Sequence, residues 1–100
     1  MPQRLFSDPE ALAALCQRYC VRRLSLFGST LRGTARPDSD IDLLVEFEPD
    51  AAPGLMTMAQ IEIDLSNLLG GRRVDLRTAA DLSHYFRDEV VRTAEAQFVA

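Results

Sequence analysis

The chain has 100 residues, 47% of them hydrophobic and 26% charged, with a formal net charge of -4. That length supports one domain over 1–100, burying roughly two-thirds of its unfolded-chain surface, and the composition excludes a disordered chain. The acidic balance argues against gripping extended nucleic acid, which takes clustered cations; a small anionic substrate screened by metal ions remains open.

No apolar run approaches the roughly 20 residues that cross a bilayer, and the N-terminus MPQRLFSDPE has neither a basic nor an apolar leader segment, so the expected location is cytoplasmic and away from membranes. Cys16 and Cys20 share a helix face at i,i+4, but no other Cys and only one His exist to complete a zinc site. Two reduced cysteines near a core are the simpler reading.

Ser7 and Glu10 form an S-x-x-E capping box with Pro9 in the first turn, and Leu12, Leu15, Cys16 and Tyr19 follow at helical spacing. A first helix is expected over 8–19. The short apolar segment 23–27 reads as a strand stopped by Gly28. Residues 30–39, TLRGTARPDS, hold Gly33 and Pro37 and suit a short helical turn and a loop. The next strand, 41–47, alternates: Ile41, Leu43, Val45 and Phe47 take one face, and Asp40, Asp42, Leu44 and Glu46 the other.

After the turn-rich EPDAAPG comes a helical stripe of Leu55, Met58, Ile61, Leu65 and Leu68, closed by Gly70-Gly71. A third strand covers 74–76 with Asp75 at its middle. Leu82, Phe86, Val90 and Ala94 mark a closing helix that starts near Asp81 or Ser83. Met56 and Met58, and the stripe of Phe86, Val90 and Phe98, are most simply core, although part of that stripe could meet a partner. The order helix, strand, short helix, strand, helix, strand, helix implies an α/β (α+β) domain with a small mixed three-stranded sheet backed by helices.

Two aspartates one residue apart on a strand project side by side and can reach one metal ion, or two ions about 3.5–4 Å apart. Carboxylate oxygens suit Mg²⁺. Alone, D-x-D is a weak signal, since strand edges and loops are rich in Asp. Gly28-Ser29 strengthens it: a glycine at a strand-to-turn junction admits a phosphate, and a serine opening a helical turn offers a hydroxyl and N–H groups. Gly-Ser is also a common turn pair, so the information lies in the combination. Asp75, in an apolar strand, would complete a carboxylate triad; otherwise it points to solvent or pairs with Arg73 or Arg77. Arg32 can contact phosphate or stand as a solvated cation, and His84 reads as a surface or capping residue.

The pattern Gly28-Ser29, ten residues, Asp40-x-Asp42, then a lone Asp75, resembles the polymerase-beta nucleotidyltransferase superfamily. The short length, SDIDLLVEF and HYFRDEVVRTAEA narrow the resemblance to the minimal nucleotidyltransferases, the antitoxin half of HEPN/MNT toxin–antitoxin pairs. One departure is Thr30-Leu31-Arg32-Gly33, where the family often has Arg-Ala-Arg-Gly; it bears on the grip on triphosphate or partner. The resemblance implies that Asp40 and Asp42 hold two Mg²⁺ ions, that Asp75 completes the catalytic one and orients or helps deprotonate the incoming hydroxyl, and that Gly28 and Ser29 hold the β- and γ-phosphates of ATP, with Arg32 a further nucleotide contact. It implies AMP transfer to a tyrosine hydroxyl of a HEPN ribonuclease partner. The competing reading is an antitoxin that masks its toxin without catalysis. A transferase for a small molecule would need a second domain for the acceptor, and a D-x-D nuclease leaves Gly28-Ser29 unexplained.

Overall fold

A computed structural model describes residues 5–27, 40–51, 53–82 and 87–100. The expected short helical turn over 30–39, and Gly28, Ser29, Arg32, His84 and Phe86, lie outside the described residues.

Helix α1 (Pro9–Arg18) starts one residue later than the S-x-x-E pattern suggests, because Asp8 is the cap: its carboxylate accepts from the Ala11 N–H at 3.1 Å. Pro9 then takes N1, where a missing N–H costs nothing, and Glu10 falls at N2, out of capping-box register with Ser7. Leu12, Leu15 and Cys16 are its buried stripe. The chain turns through Cys20, at φ 59, into β1 (Val21–Leu26). Strand β2 (Ile41–Phe47) pairs antiparallel with β1, Leu26 opposite Leu43 and Leu24 opposite Val45.

Helix α2 (Leu55–Leu68) ends as its two glycines predict. The Gly71 N–H returns to the Ser66 carbonyl at 2.9 Å and the Gly70 N–H to Asn67 at 3.4 Å, the two bonds of a Schellman closure, with Gly70 at φ 73. Strand β3 (Val74–Arg77) then lies parallel to β2. A single 3₁₀ turn (Ala79–Asp81) follows, and here a capping box does form. Asp81 accepts from the Thr78 N–H and hydroxyl at 3.1 and 3.0 Å, which holds its carboxyl below the usual range.

The C-terminal segment departs from expectation. The closing helix α3 is short (Arg87–Thr93), and residues Glu95–Val99 form a fourth strand, β4. It runs antiparallel to β1, with Phe98 opposite Leu24 and Ala96 opposite Ser25. The sheet order is therefore β3-β2-β1-β4, mixed as expected but with one strand more. Ala and Glu favour helix locally, yet β4 satisfies the free edge of β1 and packs Phe98 against the core, and tertiary pairing wins.

That core fills one side of the sheet. Leu24, Leu26, Ile41, Leu43 and Val45 meet Leu12, Leu15 and Cys16 of α1 and Ile61 and Leu65 of α2. Burial pushes the Cys16 thiol up to about 12. Tyr19 and Asp64 tie the two helices together, the hydroxyl donating to the carboxylate at 2.6 Å. Met56 is a correction: it is 88% exposed because it lies, with Ile63, on the side of α2 opposite the buried stripe, while Leu55, on the stripe but in the first turn, is 90% exposed. Among the described residues no helix is long and apolar enough to cross a membrane.

Candidate active site

The opposite side of the sheet is different in kind. Residues of β2 that alternate with the core set, Asp42, Leu44 and Glu46, point away from α1 and α2. A small second cluster of Phe27, Leu44 and Leu82, flanked by Val90 and Ala94, covers part of this face. Asp42 precedes Leu44 on the same face, half-buried at the margin of that apolar patch. Its carbonyl accepts from the Phe27 N–H at 3.1 Å, so the backbone that leads in sequence to Gly28-Ser29 is hydrogen-bonded to the aspartate strand.

The parallel pairing of β2 and β3 brings in Asp75. Ile41 lies opposite Val74, Asp42 opposite Asp75, and Leu43 opposite Leu76. Val74 and Leu76 pack on the core side, so Asp75 shares the outer face with Asp42, one strand spacing of about 4.8 Å away. The register is fixed at its start by the Ile41 N–H, which donates to the Arg73 carbonyl at 2.8 Å. It is secured at the sheet's edge by Glu62 of α2, whose carboxylate accepts from the Leu76 N–H at 3.2 Å.

Asp40 sits just before β2 and is exposed, lining a shallow cleft with Glu62, Ser66, Asn67 and Arg73. The fold thus opposes Asp42 and Asp75 and leaves Asp40 at the strand's mouth. Among the described residues no three Asp, Glu, His or Cys side chains are drawn close enough to hold one metal ion. Asp75 instead pairs with Arg77, whose Nε and Nη2 donate to the same carboxylate oxygen at 3.3 and 3.2 Å. Of the alternatives open in the sequence, pairing with Arg77 is the one seen. The chemistry of the opposed pair, hard carboxylate oxygens on a half-open face, fits Mg²⁺.

A larger groove, about 540 Å³, lies elsewhere, at the far ends of β2 and β3. It is lined by Phe47, Leu55, Met58, Glu62, Leu76 and Asp81 and contains none of the three aspartates. No sequence pattern announces it, because it is formed between the start of α2 and the 3₁₀ turn.

A helix-backed mixed sheet with opposed carboxylates on its outer face is the framework of a nucleotidyltransferase. The model of the nucleotidyltransferase domain matches residues 9–98, and the chain belongs to that family. It is 41% identical to the protein adenylyltransferase MntA of Thermococcus cleftensis, over 78% of this chain and 76% of that protein. Among solved structures, one assigned to the minimal nucleotidyltransferases is 42% identical, with a TM-score of 0.68 over 88% of this chain and 85% of the other. A toxin–antitoxin structure with AMP-PNP superposes at a TM-score of 0.70, covering 93% of this chain and 74% of that one. A complex of the tri-AMPylated Shewanella oneidensis HEPN toxin with its MNT antitoxin does so at 0.62, covering 92% and 70%. These last two are 21% and 19% identical and show the shared fold.

Proposed function

We propose that the chain is a Mg²⁺-dependent protein adenylyltransferase that moves AMP from ATP to a tyrosine hydroxyl of a cognate HEPN-domain ribonuclease, acting thereby as its antitoxin. The observation that carries this reading is the opposition of Asp42 and Asp75 across β2 and β3, in a chain 41% identical to an MntA adenylyltransferase. Asp40, Asp42 and Asp75 would hold the metal. When bound, divalent cations supply charge neutralisation at the phosphoryl oxygens, which makes nucleotidyl transfer a problem of positioning and electrostatics.

The chain's own groups then have distinct tasks. Gly28 and Ser29, with Arg32, are assigned to the β- and γ-phosphates, because they follow directly in sequence from the strand end that is bonded to Asp42. Asp75 orients the incoming hydroxyl and helps to take its proton. The tyrosine oxygen bonds to the α-phosphorus in line with the departing bridging oxygen, the α–β phosphoanhydride bond breaks, and pyrophosphate leaves. The outer face supports this, since its carboxylates are reachable while the core face is closed.

Incubation with α-labelled ATP, Mg²⁺ and the cognate HEPN protein is expected to place AMP on a tyrosine of that protein, read by mass spectrometry of its peptides. Asp40→Asn combined with Asp42→Asn is expected to abolish both the adduct and protection of cells from the toxin. Full protection by that folded double variant would favour masking without catalysis.

A further inference from the structure

Asp75 and Arg77 stand two residues apart on the edge strand β3, on the same face, with Asp75 opposite Asp42 and Arg77 opposite Leu44. The guanidinium is exposed rather than embedded: its side chain is 47% exposed, its hydrogen bonds among the described residues run to one oxygen of Asp75, and its charge also acts on the Asp81 carboxylate. Both donors on that one oxygen turn the carboxylate along its own strand, and no three-ligand cluster forms among the described residues. An exposed pair of this kind is weak and therefore breakable. Arg73, just before the start of β3, lines the Asp40 cleft instead.

We propose that Arg77 is the resident counter-cation of the Asp42/Asp75 pair, a positioning residue that occupies the Asp75 carboxylate until a divalent cation displaces it. This rests on the reading of Asp42 and Asp75 as metal ligands. Two like charges one strand spacing apart repel, and a guanidinium on the same face offsets part of that repulsion. A divalent cation needs the same oxygen, so it binds in competition with Arg77 and against its positive charge. The device keeps affinity for the bare metal low and leaves net binding to depend on the metal arriving with its nucleotide.

The test is titration calorimetry of the whole chain with Mn²⁺ alone, on wild type, Arg77→Gln, Arg77→Lys and Asp75→Asn, each checked by its melting curve. Arg77→Gln is expected to bind Mn²⁺ about two- to fivefold more tightly, the weight of one exposed ion pair. Arg77→Lys keeps the charge and should stay nearer the wild type than Arg77→Gln does. Asp75→Asn should bind more weakly than wild type. Unchanged or weaker binding by Arg77→Gln, with Asp75→Asn still impaired, would overturn the counter-cation role alone. Equal binding by wild type and Asp75→Asn would overturn the metal-site reading and the counter-cation role with it.

Discussion

The two faces of β2 are built for opposite purposes from alternate residues of one strand. Ile41, Leu43 and Val45 are 0–1% exposed and sealed under α1 and α2. Asp42 and Glu46 lie on the other side, half-exposed, beside a three-residue apolar patch. One face gains its free energy from burial, and the other keeps charge accessible at the expense of that burial. Period-two geometry lets a single seven-residue strand serve both, and it means that substitutions on adjacent positions should fail in different assays.

The sharpest contrast is in stability. Leu43→Ala, at a fully buried site, is expected to cost about 2–5 kcal/mol in urea unfolding. Asp75→Asn, across the β2–β3 ladder on the outer face, should change it by less than about 1 kcal/mol, since it loses one exposed ion pair. Comparable losses in the two variants would erase the distinction between the faces.

A smaller effect belongs to the Tyr19–Asp64 bond on the helix-covered side. The hydrogen bond to Asp64, followed by desolvation, raises the Tyr19 hydroxyl above its usual value, so its contribution is present below about pH 10 and lost as pH rises through the raised value. The bond from Tyr19, then that from Gln60, lowers the Asp64 carboxyl. Its contribution is present above about pH 4 and lost as pH falls through the lowered value. Tyr19→Phe should therefore flatten the alkaline loss of stability and reduce the acid one, as followed by melting temperature against pH.

How much of this was legible in the sequence depended on how local its cause was. The alternation of β2 announced both faces, and the glycines after Leu69 announced the end of α2, because each follows from neighbouring residues alone. Pairing of Asp42 with Asp75 required only that two short strands lie parallel. Strand β4 was hidden, since its reason lies 69 to 76 positions away along β1. The cap at Asp8 was missed by one residue, a shift decided by where Pro9 falls in the first turn. Exposure of Leu55 was hidden too: a helical stripe says which side is apolar, and not how far the partner surface reaches. The pairing of Asp75 with Arg77 was one of four possibilities, and only the geometry of the strand selects it.

The assignment of nucleotidyl transfer to the outer face of β2 and β3 stands or falls with the rate of AMP transfer from α-labelled ATP by the Asp42→Asn, Asp75→Asn double variant, at saturating Mg²⁺ and with its melting curve beside the wild type's. A loss on the order of 10²-fold or more, in a protein that melts like the wild type, is the result predicted. Transfer at the wild-type rate would place the reaction elsewhere on the protein.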